Sequence, residues 1–235
     1  MTNNLHPLQV RLQTVTQRID EALVRFSRAP GSVTLLAVSK TRSSGELRAL
    51  AVEGVTRYGE NYLQEALNKI ADLQDLPLEW HFIGPIQSNK TRIIAEHFDW
   101  VHSVDRLKIA QRLSEQRPPE QAPLNICLQV NVSGEASKSG ISLDELPELA
   151  RQVLRLPRLR LRGLMTIPAP ATDFDAQRQP FRTLRLAMEE LNASGMALDT
   201  LSMGMSDDLE AAIAEGATLV RIGTALFGPR PPKTA

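Results

Sequence analysis

Lys40 lies where an amine could become a nucleophile, because it directly follows the apolar run TLLAVS at the predicted end of a short strand. Burial against apolar side chains disfavours the ammonium form and makes a neutral amine available to condense with an aldehyde. Taken alone, a lysine at a strand end is more often solvated. Lys40 is therefore a candidate for imine formation that needs support from other segments.

A second candidate segment is SMGMSDD, residues 202–208. Gly204 and its small neighbours allow backbone N–H groups to converge on an anion. Ser206 or Asp207 could cap the following helix, and Glu210 is spaced to complete a capping box with Asp207. The segment predicts a phosphate-binding turn, and a plain capped turn is the alternative.

A third candidate segment is RIGTALFG, residues 221–228, which begins in the last predicted strand. Gly223 permits close approach of the backbone to a ligand, and Thr224 adds a hydroxyl group. Loops after the seventh and eighth strands commonly form the phosphate site of an α/β barrel. Together with Lys40, the two loops indicate a ligand that carries both a phosphate and an aldehyde.

Hydrophobic periodicity predicts the elements that would position these residues. Apolar residues at steps of three or four predict an N-terminal helix over 8–26. About eight short apolar runs, separated by helical patterns, then predict strands at 33–38, 56–58, 79–83, 99–103, 125–130, 160–165, 198–202 and 218–222. This alternation is typical of a TIM-type (β/α)8 barrel, here with an extra N-terminal helix. An open doubly wound sheet is the alternative, but no GxGxxG follows the first strand.

Composition excludes several classes of partner. The 235 residues include 27 Lys plus Arg and 27 Asp plus Glu, so no net field attracts nucleic acid or an anionic membrane. No apolar run approaches the roughly 20 residues of a membrane span, and the N-terminus lacks a signal peptide's apolar region. The lone Cys127 allows neither an internal disulfide nor a paired-thiol zinc site. We expect residues 1–235 to form one cytoplasmic domain that binds a small molecule and no metal.

Other conspicuous residues have structural explanations. His6, His97 and His102 lack partners at metal-ligand spacing, so we interpret them as surface or packing residues. Cys127 lies in the middle of an apolar strand pattern and is interpreted as an inert core residue.

Seven motifs in order along the chain resemble one known family, the pyridoxal phosphate homeostasis proteins. They are AVSKT at 37–41, YGENY at 58–62, HFIGPIQSNK at 81–90, KSGI at 138–141, GLMTIP at 163–168, and the two loops at 202–208 and 221–228. The similarity runs from about residue 35 to residue 228. The ordered set is far more specific than any single motif.

The resemblance implies a barrel like the N-terminal domain of alanine racemase and a site for pyridoxal 5′-phosphate (PLP). It implies that Lys40 carries the cofactor as a Schiff base, that Arg221 faces the pyridine nitrogen and that Asn61 approaches the ring. The residues that it places around the phosphate are Ser202, Met203, Ser206, Gly223 and Thr224.

The same residues argue against a dedicated enzyme. An arginine beside the pyridine nitrogen opposes its protonation, which weakens the ring as an electron sink. A racemase also needs two acid/base groups, and Tyr58, Tyr62 and His81 are no better as partners of Lys40 than as packing residues. The β-rich second domain of alanine racemase is not expected after the barrel.

We therefore expect a monomeric PLP carrier that acts in PLP homeostasis or delivery, with effects on amino-acid metabolism and transient contacts with PLP-dependent apo-enzymes. A weak amino-acid racemase is the main alternative, and a phosphosugar aldolase that uses Lys40 is a third hypothesis. For release of the cofactor, Lys138 in GEASKSG is the preferred assisting amine and Lys90 in QSNK the second. Two solvated loop lysines would explain the same pattern.

Overall fold

Eight strands close on themselves as a parallel barrel in which β1 pairs with β8. The computed structural model describes residues 7–133 and 139–229. The strands are β1 (Thr34–Val38), β2 (Arg57–Glu60), β3 (Glu79–Phe82), β4 (Trp100–Val104), β5 (Leu124–Gln129), β6 (Leu159–Met165), β7 (Thr200–Ser202) and β8 (Leu219–Ile222). Sequential strands are neighbours throughout, which confirms the predicted TIM-type barrel.

Helices alternate with the strands and cover the outside of the barrel. They are α1 (Pro7–Arg25), α2 (Ser44–Val52), α3 (Leu63–Asp72), α4 (Thr91–His97), α5 (Leu107–Gln116), α6 (Leu146–Leu154), α7 (Phe174–Ala193), α8 (Leu209–Ala214) and α9 (Thr224–Phe227). The segment before α4 begins as a 3-10 turn, Ser88–Lys90, and α9 was not predicted. Its four residues are too few to produce a helical periodicity.

The predicted capping box at the start of α8 is wrong. The N-cap residue is Asp208, and its carboxylate accepts a hydrogen bond from the Met205 amide at 2.6 Å. Glu210 instead forms a bidentate ion pair with Arg18 of α1, at 2.8 and 2.9 Å. A guanidinium is a stronger partner for a carboxylate than a backbone N–H, so the tertiary contact replaces the local one.

The extra N-terminal helix is confirmed, and α1 lies against α8 and α9. Besides its ion pair, Arg18 donates to the Ser206 carbonyl at 3.0 Å. Arg11 donates to the Phe227 carbonyl at 3.1 Å. The helix therefore fixes the backbone of both loops that the sequence marked as phosphate-binding.

The core has two layers. A large apolar cluster fills the space between strands and helices. Two smaller apolar clusters lie in the barrel interior, one of Leu36, Ile83 and Leu219 and one of Trp100, Cys127 and Met165. Inward positions of β3, β4 and β8 carry His81, His102 and Arg221, all of them buried. The interior of this barrel is consequently part apolar and part hydrogen-bonded network. Within the described ranges, no helix has the length and apolar character needed to cross a membrane.

Candidate functional site

A cavity of about 190 Å³ opens at the carboxyl-terminal ends of the strands, where barrel enzymes place their chemistry. We call it the mouth cavity. It is lined by Val38, Lys40, Asn61, Ile83, Ile167, Met205, Ser206, Asp207, Arg221, Gly223 and Thr224. Six of the eight predicted cofactor residues thus lie around one space, although they come from four separate parts of the chain.

Lys40 follows β1 and is half-buried in the wall of the mouth cavity. The next residue, Thr41, has a left-handed backbone with a φ of 64°. A β-branched residue is strained in this region, and such strain concentrates at functional sites. The Thr41 amide donates to the Glu65 carboxylate at 2.6 Å, which holds the strained turn in place.

A buried ion pair anchors the residue before Lys40. The Lys69 ammonium donates to Glu60 Oε1 and to the Ser39 carbonyl, both at 2.7 Å, and the Ser39 hydroxyl donates to the same Glu60 oxygen at 2.5 Å. Burial raises the pKa of Glu60, and the Lys69 charge opposes that rise. Sequence reasoning missed this cluster, although a glutamate within a buried strand was a visible signal.

Asn61 presents a buried acceptor at the wall of the mouth cavity. Its Oδ1 atom is buried and has no hydrogen-bond partner among the residues that the structure describes. Gly84 permits the close approach of this segment, because a Cβ atom there would lie 2.3 Å from the Asn61 carbonyl oxygen. A buried acceptor without a partner destabilises the protein, so its position in a cavity wall indicates a ligand that donates to it.

Arg221 projects from β8 into the barrel interior and reaches the mouth cavity. Its guanidinium donates to the Ser202 carbonyl at 2.6 Å, to the Ser202 hydroxyl at 2.8 Å and to the Thr166 carbonyl at 2.8 Å. These three bonds leave part of its five-donor capacity for a ligand. Burial lowers the pKa of Arg221 to about 10. This value is still well above 7, so the guanidinium is charged at neutral pH.

Ser206, Gly223 and Thr224 form the opposite wall. The Ser206 hydroxyl accepts from the Ala225 amide at 3.2 Å, which joins the loop after β7 to the start of α9. Gly204, with a φ of 94°, allows the first loop to turn, because a Cβ there would lie 2.5 Å from the Ala212 Cβ. One carboxylate, Asp207, lies on the exposed rim. The charged lining is therefore Lys40 and Arg221 against one solvated aspartate, which favours an anionic ligand.

Ser202 and Met203 lie behind the cavity wall and do not line it. Both are fully buried. Ser202 bonds to Arg221 and to His102, while Met203 belongs to the apolar cluster between strands and helices. These two residues support the site from behind it.

The acid/base candidates Tyr58 and Tyr62 and the release candidate Lys90 also lie away from the mouth cavity. The Tyr58 hydroxyl donates to the carbonyls of Leu47 and Val55 outside the barrel, and burial raises its pKa. Tyr62 is exposed before α3, and Lys90 is exposed in the 3-10 turn.

His97 is an exposed residue that contacts the Ile93 carbonyl, and burial raises the pKa of the Cys127 thiol to about 12. His97 is thus a surface residue and Cys127 a buried core residue, as their sequence patterns predicted. Lys138 and His6 lie outside the described residues. Over the described ranges, no three His, Cys, Asp or Glu side chains are grouped to hold a metal ion.

A larger cavity, of about 440 Å³, lies at the opposite end of the barrel. We call it the basal cavity. Arg57 pairs there with Glu79 at 3.0 Å, and Arg162 pairs with Asp199 at 2.8 Å. Arg162 also covers the ring of Trp100, at 4.7 Å from its centroid. The charged groups around the basal cavity therefore satisfy one another.

Comparison with known proteins gives the same family along most of the chain. Residues 11–231 match the family model for alanine racemase, N-terminal domain. The pyridoxal phosphate homeostasis protein of Pseudomonas aeruginosa is 65% identical over 216 residues, which cover 92% of this chain and 93% of that protein. The protein of the same name from Escherichia coli K12 is 54% identical and covers 93% and 95% of the two chains.

Solved structures agree with the sequence comparison. PipY of Synechococcus elongatus, solved with PLP bound, is 39% identical with a TM-score of 0.78, and the match covers 89% of this chain and all of PipY (100%). Alanine racemase of Corynebacterium glutamicum shares the fold at 15% identity and a TM-score of 0.65, over 93% of this chain and 61% of that enzyme. The chain therefore belongs to the alanine racemase N-terminal domain family, and within it to the pyridoxal phosphate homeostasis proteins.

Proposed function

We propose that this protein holds PLP in the mouth cavity, linked to Lys40 as a Schiff base, and serves PLP homeostasis or delivery. One observation carries the proposal: an amine, a buried guanidinium and two loops with hydroxyl groups face the same small space. The names of the relatives and the PLP-bound structure of PipY support it.

The residues present fit the cofactor group by group. Asn61 offers a buried acceptor to a ring substituent, and Lys40 offers an amine at the cavity wall. Ser206 and Thr224 offer hydroxyl groups to the phosphate, with the backbone of Gly223 between them. When bound, PLP supplies an aldehyde that condenses with amines and a ring that can withdraw electrons.

Arg221 favours holding the cofactor over using it. Its pKa of about 10 keeps the guanidinium charged, and a positive charge beside the pyridine nitrogen opposes protonation of that nitrogen. An unprotonated ring is a weaker electron sink. We therefore propose a role without a dedicated catalytic activity.

A racemase function has less support. It needs a second acid/base group near the substrate carbon, and none of Tyr58, Tyr62 and His81 lines the mouth cavity. For the whole chain we propose one PLP-binding domain, residues 1–235, acting as a cytoplasmic monomer. Its partners would be PLP-dependent apo-enzymes, met transiently, and through them amino-acid metabolism would respond to its loss.

Absorption spectra of the purified protein test the proposal. We expect a yellow protein whose imine band disappears on borohydride reduction and whose pyridoxyl group maps to Lys40. Incubation with a panel of amino acids should give no sustained turnover. A colourless protein, or a pyridoxyl group only on other lysines, would overturn the proposal.

Release of the cofactor has its own test. We propose that Lys138 assists transfer of PLP to a recipient enzyme. Lys138→Ala should slow transfer to an apo-enzyme at equal cofactor loading, while the free energy of unfolding stays that of the parent. Lys90→Ala is the matched control, because Lys90 is an exposed lysine away from the mouth cavity. Equal transfer rates for Lys138→Ala and the parent would reject the role.

A further inference from the structure

A chain of hydrogen bonds crosses the barrel core from the basal cavity to Arg221. Glu79 Oε1 lies 2.8 Å from His81 Nε2, and His81 Nδ1 lies 2.9 Å from His102 Nε2. His102 Nδ1 lies 2.7 Å from the Ser202 hydroxyl, which accepts from Arg221 at 2.8 Å. We call these residues, from Glu79 to Ser202, the core relay.

The core relay is sealed from water everywhere except at Glu79. His81, His102 and Ser202 each have 0% exposure. The Glu79 side chain is 38% exposed and lines the basal cavity. Side chains so deeply buried cannot exchange their partners for water, so each proton in the relay must be placed by its neighbours.

The two ends of the relay fix the direction of every proton. A guanidinium only donates and an ionised carboxylate only accepts. His81 therefore donates from Nε2 to Glu79, which leaves its Nδ1 as the acceptor for His102 Nε2–H. His102 Nδ1 then accepts from the Ser202 hydroxyl. The Ser202 oxygen is left with its lone pairs towards Arg221.

This arrangement needs both histidines to be neutral. Burial lowers the pKa of His81, although its hydrogen bond to Glu79 opposes the effect. Burial also lowers the pKa of His102 well below its usual value, helped by the nearby charge of Arg221. The hydrogen bond from His81 lowers the pKa of Glu79, which keeps the terminal acceptor ionised.

We propose that Glu79, His81 and His102 are positioning residues for the cofactor: through Ser202 they hold the Arg221 guanidinium fixed at the mouth cavity. The proposal rests on the proposed PLP function. It extends the site from the cavity wall to a carboxylate at the other end of the barrel. Breaking the relay frees the Ser202 hydroxyl to turn, and Arg221 then loses an acceptor.

Three single variants separate the relay from the ion pair that shares Glu79. Glu79→Ala removes both the relay acceptor and the partner of Arg57, whereas Arg57→Ala removes only the ion pair. Glu79→Gln keeps an oxygen that can accept from His81. Because Glu79 and Arg57 are partly exposed, all three variants should fold.

The readouts are the absorption band of the PLP-loaded protein against pH and the rate of PLP loss. Glu79→Ala should shift the band and its pH midpoint and lose PLP about tenfold faster, as expected for one charge-assisted hydrogen bond. Arg57→Ala should match the parent, and Glu79→Gln should restore most of the parent's spectrum. If Glu79→Ala and Arg57→Ala give the same spectra and rates, the relay has no positioning role.

Nitrogen NMR of the cofactor-free protein tests the relay separately from PLP binding. Both buried histidines should be neutral Nε2–H tautomers that do not titrate between about pH 5 and pH 8. Glu79→Ala should move the His102 and Arg221 side-chain resonances, and Arg57→Ala should not. A titrating histidine or an Nδ1–H tautomer would overturn the relay. A parent protein without PLP would overturn only the proposed function.

Discussion

Cavities open at both ends of the barrel, and their polar linings differ in kind. The basal cavity measures about 440 Å³ and is bordered by two ion pairs, Arg57 with Glu79 and Arg162 with Asp199. The mouth cavity measures about 190 Å³ and borders Lys40, Arg221 and the Asn61 acceptor, which has no partner in the described part of the chain. The larger and more charged cavity is thus less ready for a ligand, because its charges already satisfy one another.

This difference teaches that unused bonding capacity identifies a ligand site better than size does. A charged lining whose members are paired gains little from a further ligand, since solvent screens what remains. The mouth cavity can gain hydrogen bonds on binding, because Asn61 Oδ1 has no partner among the described residues and Arg221 keeps part of its donor capacity.

The largest expected effect is the loss of covalent cofactor from Lys40→Ala. Without the amine at the mouth cavity, borohydride should fix no pyridoxyl group in stoichiometric yield, as judged by intact-protein mass. Arg57→Ala, which removes a charge from the basal cavity, should keep the parent's yield. Similar yields of fixed pyridoxyl group for Lys40→Ala and the parent would contradict a covalent site at the mouth cavity.

A smaller effect is expected from the wall that Ser206, Gly223 and Thr224 form in the mouth cavity. Ser206→Ala and Thr224→Ala should each weaken PLP binding about tenfold to hundredfold, since a hydrogen bond to a charged group is worth roughly 1.5 to 3 kcal/mol. Thr200→Ala is the control, because the Thr200 hydroxyl bonds to Asp199 at the basal cavity. Titration with pyridoxal should show much smaller losses. Equal losses for PLP and pyridoxal would contradict a phosphate contact.

The smallest effect concerns acid stability, where the two ends should respond with opposite sign. Burial acts to raise the pKa of Asp199, but the Arg162 hydrogen bonds lower it overall, so its contribution is lost as pH falls. Burial raises the pKa of Asp208, the N-cap residue of α8, so protonation of this carboxylate favours the folded state as pH falls through the raised value.

Urea unfolding at about pH 7 and about pH 3 tests this contrast, because that range extends below the ordinary Asp pKa of about 3.9, where the contribution of Asp199 begins to be lost. Asp199→Asn should lower the free energy of unfolding at neutral pH by less than about 1 kcal/mol and reduce its fall in acid. Asp208→Asn should match or exceed the parent's stability at neutral pH. The same sign for both variants would contradict the assignment.

The sequence carried enough information for the barrel and for the residues that follow its strands. Strand patterns gave positions within a few residues, and Lys40 and Ser206 were chosen as candidates because functional residues follow strand ends. Asn61 was chosen only because of the family resemblance. The sequence did not predict which side chains meet in the barrel interior. Ser202 and Met203 are adjacent, yet one joins the interior network and the other packs outward, as strand alternation requires.

The core relay was beyond sequence reasoning for a related reason. His81 and His102 belong to different strands and were interpreted separately, one as a possible acid/base group and one as a surface or packing residue. Their contact depends on the register of β3 against β4 and on the closure of the barrel onto β7. Two histidines at inward positions of neighbouring strands were the available signal, but pairing them requires that register.

The pairing of β1 with β8 has a consequence for the order of events during synthesis. A ribosome releases Lys40 with the first strand, whereas Arg221 and Thr224 emerge with the last. Until then the nascent chain lacks Arg221 and Thr224, so no mouth cavity surrounds Lys40. Parallel closure of distant strands is also slow. The complete mouth cavity therefore forms only when the last strand closes the barrel, so a cofactor would be bound late in folding.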